Sequence, residues 1–412
     1  MVKHALRDYQ QRASDKGVYF FNHDKDKSAI IVVPSAGGKS HVIADICDRL
    51  LGHVLVLQPS KEILEQNYAK FTACGGHAGI FSASVGRKDI SRVTFATPAS
   101  VKNYLSKFSH ISQVIVDECH LGGEARGNTQ FKTILDALDN PKILGLTATP
   151  FRLYSVMGGS MVKILSRTHP RLYNKIIDYT QIGELKRRGF LSELKYYRLV
   201  KGFDRRKIKV NSTGSDFDEE SLRDYYKSID FVHETAKIVE RVNKAGRQVL
   251  CFTSFVADAE YVSEILNRKG FSSAVVHGKT KKNVRGDILE GFANGKYQSV
   301  INVGTLTTGY DYPQLGCVLI SRPMRSLSLY MQIVCRGSRI HPDKEDCWII
   351  DCCGNFETFG RIEDIELKME GKYNNLPYLT GTRGKLTGVL LANNENMSLE
   401  KKEYQEKLYG FR

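Results

Sequence analysis

The sequence lacks the cysteine spacing of metal-binding and disulfide frameworks. Its 412 residues include nine cysteines, an odd number, and none of them forms a C-x-x-C pair. Zinc ribbons use closely spaced cysteine pairs and disulfide frameworks use an even set, so the pattern argues against both. We expect reduced thiols, as in a cytoplasmic protein.

Long apolar segments are also missing from the sequence. It contains no run of 18 or more apolar residues, which predicts that no segment crosses a membrane. The first eleven residues, MVKHALRDYQQ, lack the apolar stretch of a signal peptide. We therefore predict a protein with no membrane partner.

Acidic residues are too few to balance the basic ones. Sixty lysines and arginines stand against 45 aspartates and glutamates, which gives a net charge of +15 and favours polyanionic partners such as nucleic acid. A hydrophobic content of 42% is typical of globular proteins. Because single cores stop growing beyond roughly 250–300 residues, two or three domains are expected.

Short apolar runs alternate with helical patterns along most of the chain. Continuous apolar strands separated by helices are typical of parallel sheets covered on both faces. The sequence therefore predicts an α/β fold with two doubly wound parallel-sheet lobes in tandem. The expected boundaries are 1–158 for the first lobe, 159–194 for the connection, 195–355 for the second lobe and 356–412 for a short C-terminal extension. The predicted strands are 28–33, 53–57, 93–96, 113–116 and 142–146 in the first lobe, and 195–199, 248–252, 273–276, 299–303, 316–320 and 347–350 in the second.

A glycine-containing turn, PSAGGKS, connects the first predicted strand to a helical pattern. Such a turn directs backbone N–H groups at phosphate oxygens. Lys39 would neutralise the β- and γ-phosphates of a nucleotide, and Ser40 would offer its hydroxyl to Mg²⁺. Val33 stands where the strict pattern has glycine. The remaining predicted nucleotide contacts in this turn are Ser35, Ala36, Gly37 and Gly38.

Two adjacent carboxylates, Asp117 and Glu118, follow the fourth predicted strand. Acidic residues at the carboxyl end of a strand lie where ligands bind in open α/β sheets. Asp117 can hold Mg²⁺, and Glu118 can orient or deprotonate an attacking water.

The segment DECH, downstream of PSAGGKS, resembles the DExH box of superfamily 2 helicases, and further motifs of that family follow in order. The resemblance implies two RecA-like lobes that use ATP and Mg²⁺. In LRDYQQ it implies that Gln10 reads adenine with help from Arg7. Five further segments resemble nucleic-acid-binding motifs of the family: QPSKEILEQ, ATPASV, LCFTSF, VHG and INVGTLTTGYDYP. The resemblance implies nucleic-acid contacts by Pro59, Ser60, Thr97, Pro98, Thr253, Ser254, His277, Gly278 and Thr305.

The same resemblance assigns the other part of the ATPase site to the second lobe. Gly309 and Asp311 are expected near the nucleotide. The segment QIVCRGSR resembles the arginine-finger motif, which implies catalytic roles for Gln332, Arg336 and Arg339. Cys335 stands where the family often has glycine, and the departure leaves the three polar residues in place.

The chain is similar to bacterial and phage DNA helicases of repair and recombination. That resemblance implies an ATP-dependent DNA helicase or translocase acting on forks and Holliday junctions, monomeric on DNA. A phage-encoded member would work in the cytoplasm of its bacterial host. Three other interpretations remain open: an RNA helicase, the motor subunit of a restriction or nuclease complex, and an ATP-dependent clamp without enzymatic activity.

Overall fold

The structure, a computed structural model, consists of two compact units connected by several passes of the chain. The first unit combines described residues of 1–152, 163–184 and 367–378. The second combines described residues of 153–162, 185–366 and the segment from 379 onward. The structure describes residues 5–121, 130–156, 159–168, 171, 173–198, 203–306, 311–370, 376–382, 384–387 and 390–392.

The first unit is built on an eight-stranded sheet in which seven strands are parallel. All residues of the strands 28–32, 54–57 and 93–96 are buried, because helices cover both faces of the sheet. Two strands, β8 Phe151–Val156 and β9 Gly159–Ile164, belong to a separate three-stranded sheet together with the strand Leu390–Ala392. The strands of the eight-stranded sheet are β1 Ser28–Val32, β2 Val54–Leu57, β3 Ala78–Ser82, β4 Arg87–Lys88, β5 Val93–Ala96, β6 Gln113–Asp117, β7 Lys142–Thr147 and β10 Lys175–Tyr179. The sheet order is β10-β1-β7-β6-β2-β5-β3-β4, and β4 is antiparallel to β3.

Helices with one apolar face enclose this sheet. Phe20, Ile43 and Phe71 belong to three of them and are fully buried in the core of the first unit. At Gly17 an added Cβ would lie 2.6 Å from the Cδ1 atom of Ile46, so a glycine allows two helices to approach closely. The helices up to residue 187 are α1 Asp8–His23, α2 Lys39–Arg49, α3 Lys61–Ala73, α4 Pro98–Val101, α5 Gln130–Ala137 and α6 Ile182–Arg187.

The second unit has a six-stranded sheet whose strands are all parallel, in the order β11-β16-β15-β12-β14-β13. Its strands are β11 Glu193–Arg198, β12 Val249–Thr253, β13 Ser273–His277, β14 Ser299–Val303, β15 Cys317–Ser321 and β16 Asp346–Asp351. Its helices are α7 Glu219–Ser228, α8 Phe231–Lys244, α9 Val256–Arg268, α10 Lys282–Ala293, α11 Leu327–Val334 and α12 Asn355–Phe359. Four further strands end the described chain: β17 Glu366–Glu370, β18 Leu376–Gly381, β19 Gly384–Lys385 and β20 Leu390–Ala392.

The two parallel sheets confirm the predicted α/β fold with two RecA-like lobes. Strands β3 and β10 were not predicted, and β10 extends the first sheet beside β1. Within the described ranges, no helix has the length and apolar character needed to cross a bilayer. Because each sheet is parallel, residues that follow its strands collect at one edge, where ligands bind in such folds.

Candidate nucleotide and nucleic-acid sites

The phosphate loop leaves β1 and enters α2 through two residues with positive φ. Ala36 has a φ of 66° and Gly38 a φ of 79°. A Cβ at Gly38 would lie 2.3 Å from the Nε2 atom of Gln10, so only glycine fits there. Because the first N–H groups of a helix lack intrahelical partners, the start of α2 at Lys39 suits a phosphate.

Residues of α1 hold this loop from one side. The Nε2 atom of Gln10 and the hydroxyl of Tyr9 both donate to the carbonyl oxygen of Gly37, each at 2.9 Å. The Oε1 atom of Gln10 accepts from the backbone nitrogen of Arg7 at 3.0 Å. The structure therefore places Arg7 and Gln10 beside the loop. Tyr9, next to Gln10 in sequence, was not among the predicted site residues.

Lys39 pairs with both carboxylates that follow β6. Its Nζ atom lies 3.0 Å from the Oδ1 atom of Asp117 and also contacts the Oε1 atom of Glu118. Burial on its own would lower the pKa of Lys39, but the charges of Asp117 and Glu118 outweigh burial and raise this pKa. The ammonium therefore stays charged and offsets one of the two negative charges of the pair.

Asn67 in α3 is a site residue that the sequence analysis missed. Its Nδ2 atom donates to the Oδ2 atom of Asp117 at 2.9 Å, and its side chain is only 2% exposed. The Oδ1 atom of Asp117 accepts from the backbone nitrogen of Glu118 at 2.9 Å. Asp117 is therefore oriented from both sides. Its partner Asn67 belongs to an ordinary helical pattern, and only the fold brings the two together.

Glu118 adopts a backbone conformation that is uncommon for a residue with a side chain. Its φ is 48°, in the left-handed region. Its Oε2 atom lies 3.4 Å from the Nδ1 atom of His120, which in turn lies 2.9 Å from the Oγ1 atom of Thr147. These two side-chain contacts connect the end of β6 to the end of β7. Burial, followed by the charges of Lys39 and Arg152, lowers the pKa of His120 to about 3, so the imidazole is neutral at pH 7.

The residues at this edge fit Mg²⁺ held together with nucleotide phosphates. No group of three or more His, Cys, Asp or Glu side chains forms a metal site among the described residues. Mg²⁺ needs no such group, because it commonly binds one or two carboxylates plus substrate phosphates and water. Here the Lys39 ammonium supplies the positive charge that Asp117 and Glu118 require. Asp117 and the hydroxyl of Ser40 would hold the ion.

The second unit brings two of its predicted residues together. The Nε atom of Arg339 lies 2.8 Å from the Oδ1 atom of Asp311. Arg336 is 8% exposed, and its Nε atom donates to the backbone oxygen of Gln332 at 3.4 Å. Gly309 lies outside the described residues.

The predicted strand contacts of the first unit follow two adjacent parallel strands, β2 and β5. Ser60 caps α3 by accepting from the backbone nitrogen of Ile63 at 3.3 Å. Pro59 is half-buried. The hydroxyl of Thr97 is 3.0 Å from that of Ser100, and Pro98 is buried as the first residue of α4.

In the second unit the predicted strand contacts also follow parallel strands. Thr253 at the end of β12 is only 3% exposed, whereas its neighbour Ser254 is half-buried. His277 ends β13, and its backbone nitrogen donates to the Oγ1 atom of Thr280 at 3.0 Å; Gly278 after it is exposed. The hydroxyl of Thr305, which follows β14, donates to the Oδ1 atom of Asn302.

Comparison with known families finds two matched domains. The family described as type III restriction enzyme, res subunit, matches residues 3–152. The helicase conserved C-terminal domain matches residues 232–341. The two matched regions contain the phosphate loop and the QIVCRGSR segment, respectively.

Individual relatives cover most of the chain at low identity. IRC3 of Saccharomyces cerevisiae, named as an ATP-dependent helicase, is 26% identical over 85% of this chain and 51% of its own length. A 51.5 kDa protein of a Lactococcus phage is 25% identical over 80% of this chain and 67% of its own. The DNA 3′-5′ translocase XPB2 of Sulfurisphaera tokodaii is 24% identical over 76% of this chain and 74% of its own. The chain thus spans about half the length of the yeast relative.

Among solved structures, the fold is similar to that of an HsdR-subunit fragment assigned to a type I restriction enzyme from Vibrio vulnificus. The TM-score is 0.63 at 19% identity. The match covers 87% of this chain and 66% of the other. At this identity the similarity concerns the fold.

Proposed function

We propose that the protein is an ATP-driven DNA helicase or translocase. The two matched domains and the helicase relatives support a superfamily 2 helicase, which is a nucleic-acid-dependent ATPase. The observation that carries the proposal is the contact of Lys39 with Asp117 and Glu118 at the end of β1 and β6. This grouping joins a phosphate-binding cation to a metal-binding and a water-activating carboxylate, which phosphoryl transfer requires.

Lys39 has to exchange partners for turnover to occur. Its ammonium contacts the carboxylates of both Asp117 and Glu118. ATP with Mg²⁺, when bound, supplies the phosphoryl group and the cation that neutralises its charge. Lys39 can then turn to the phosphates, and the carboxylate of Glu118 becomes available to orient a water and accept its proton. The positive φ of Glu118 fixes the direction in which its side chain leaves the strand.

We assign the charge-stabilising role in hydrolysis to Arg336 and Arg339 of the second unit, with Gln332 beside them. An arginine finger contributes about 10³–10⁵ in rate. Asp311 forms an ion pair with the Arg339 guanidinium.

We assign nucleic-acid binding to the sheet edges that carry the predicted strand contacts. Polar side chains such as Ser60, Ser254 and Thr305 suit contacts with a sugar-phosphate backbone, which are independent of sequence. The net charge of +15 favours the same partner. The similarity to a DNA translocase supports DNA over RNA.

The finer part of the proposal is branched DNA as the substrate. We propose that the protein acts as a monomer on forks or four-way junctions, in unwinding or branch migration. The phage relative supports a phage origin and thus the cytoplasm of a bacterial host as the site of action.

A second candidate is the motor subunit of a restriction complex. The match of residues 3–152 to a restriction-enzyme res subunit favours it. In that case the ATPase would be the same, but a partner protein would carry nuclease activity.

The test compares ATP hydrolysis by the purified chain with single-stranded DNA, duplex DNA, a four-way junction and RNA of matched length. The proposal expects stimulation by DNA, little by RNA, and ATP-dependent conversion of the junction into duplex products. Stimulation by RNA alone would favour an RNA helicase. Duplex-stimulated turnover without any strand separation would favour the restriction motor. Absence of stimulation by every nucleic acid would contradict the proposal.

A further inference from the structure

Helix α7, Glu219–Ser228, lies in the segment between the two matched family regions, which end at residue 152 and begin at residue 232. It nevertheless packs on the residues that follow β12. Arg223 and Tyr226 are three positions apart and therefore share one face of the helix. Both contact the segment Ser254–Phe255, at the edge of the second sheet where strand contacts are predicted.

Tyr226 fixes this helix in place. Its hydroxyl lies 3.0 Å from the Oγ atom of Ser254, and its side chain is 3% exposed. Its ring packs on that of Phe231, with centroids 4.3 Å apart. The position of Arg223, one turn earlier in α7, is therefore set by buried contacts.

Arg223 stacks on the ring of Phe255. The guanidinium carbon is 3.8 Å from the ring centroid, the ring is 6% exposed, and Arg223 itself is exposed. The guanidinium carbon thus lies over the face of the ring, and the residue as a whole is exposed to solvent. Nucleobases of single strands stack on arginine guanidinium planes and on aromatic rings.

The charges around Arg223 distinguish stacking from a phosphate contact. Glu219, Glu220, Asp224 and Lys227 of the same helix are exposed, and Asp258 of α9 interacts with Arg223, so four carboxylates stand against one further cation. These carboxylates lower the local potential and disfavour a phosphate. A base presents an uncharged face, so it can stack without this penalty.

We propose that Arg223, supported by Phe255, is a stacking platform for one base of a single-stranded nucleic acid at the carboxyl edge of the second sheet. The platform would make α7 part of the nucleic-acid interface and Tyr226 a positioning residue for it. This inference rests on the proposed function, because it adds a base contact to the backbone contacts proposed there.

The test is a double-mutant cycle between the protein and an oligonucleotide. Wild type, Arg223→Ala and Arg223→Lys are each titrated with a single-stranded oligonucleotide and with a series that carries one abasic site at successive positions. Arg268→Ala is the matched control. Arg268 is an exposed arginine at the far end of α9, and α9 runs away from this edge to the other edge of the same sheet.

With wild type and Arg268→Ala, one abasic position should weaken binding about five- to 150-fold, which corresponds to about 1–3 kcal/mol for one stacked base. With Arg223→Ala that position-specific loss should vanish. Arg223→Lys should behave in the same way, because lysine keeps the charge but lacks the planar group. If Arg223→Lys binds like wild type, or if the abasic effect persists in Arg223→Ala, the platform is wrong. If wild type and Arg268→Ala do not bind the intact oligonucleotide, the proposed function itself fails.

Discussion

The Nζ atom of Lys39 lies 3.0 Å from the Oδ1 atom of Asp117, so the phosphate loop and the end of β6 form one charged cluster in the first unit. Glu118 completes this cluster as its second carboxylate. Substitutions in and around this cluster can test the role of each of the three residues separately.

Glu118→Gln should separate nucleotide binding from hydrolysis. The amide keeps the size of the side chain but cannot accept a proton from water. We expect turnover to fall by about 10²–10⁴, the contribution of a general base, with nucleotide affinity unchanged or higher. Steady-state hydrolysis and equilibrium nucleotide binding measure the two effects. Glu62→Gln, on the exposed side of α3, serves as control. Normal turnover in Glu118→Gln would place the base elsewhere.

Gly38→Ala should abolish nucleotide binding through a steric effect. The added Cβ would meet the Nε2 atom of Gln10 and break its bond to the loop, in addition to straining a residue with a φ of 79°. Gly86→Ala is the matched control, because Gly86 has a φ of 80° and no atom within 4 Å of an added Cβ. Each change should cost about 1–2 kcal/mol of stability through backbone strain.

Nucleotide binding, followed by calorimetry, distinguishes the two glycine variants. Only Gly38→Ala should lose affinity. Equal affinities in both variants would show that the loop does not contact the nucleotide.

Asn67→Ala should impair the Asp117 carboxylate without touching the nucleotide. It removes the donor to the Oδ2 atom of Asp117 and leaves a buried acceptor unsatisfied, at a cost of about 1–3 kcal/mol. We expect lower stability in chemical unfolding and reduced turnover at low Mg²⁺ that excess Mg²⁺ partly restores. Asn103→Ala, at an exposed position, should change neither. Turnover with an unaltered Mg²⁺ dependence would argue against Asp117 as a metal ligand.

His120 should make the folded state sensitive to acid. Its folded pKa of about 3 lies below the ordinary value of 6.5, so the unfolded chain binds an extra proton between these two values. This group therefore leaves the free energy of unfolding unchanged above pH 6.5. Below pH 6.5 it lowers that free energy by about 1.4 kcal/mol per pH unit.

Urea unfolding at pH 7 and pH 5 tests this linkage. Wild type should lose about 2 kcal/mol more than His120→Gln over this interval, since about 1.5 pH units lie below 6.5. His53→Gln, at an exposed position, should lose as much as wild type. An identical loss in wild type and His120→Gln would show that folding does not lower the pKa of His120.

Strand patterns in the sequence were sufficient to predict the fold class. The buried parallel strand β2 and the first four residues of β12 are apolar, and this pattern is visible without coordinates. Strand β10 was not predicted because KIIDY mixes polar and apolar residues, as an edge strand can. Its pairing with β1 depends on a contact between distant parts of the chain.

The candidate site was predictable where a short motif holds its residues together. Lys39 follows the loop and Asp117 follows a strand, so local patterns identify both. Asn67 and Tyr226 are different, because each acts through hydrogen bonds to residues far away in sequence. A polar residue on a helix carries no signal of such a partner, and only the fold reveals it.

We propose that Arg336 and Arg339 stabilise the negative charge that develops during ATP hydrolysis. The most direct measurement is DNA-stimulated ATP turnover of Arg339→Ala, with nucleotide affinity determined on the same preparation and Arg268→Ala as control. We expect turnover to fall by about 10³ or more, the contribution of an arginine finger, with nucleotide affinity within a few-fold of wild type. Wild-type turnover in Arg339→Ala, or a loss of affinity with unchanged maximal turnover, would contradict the account.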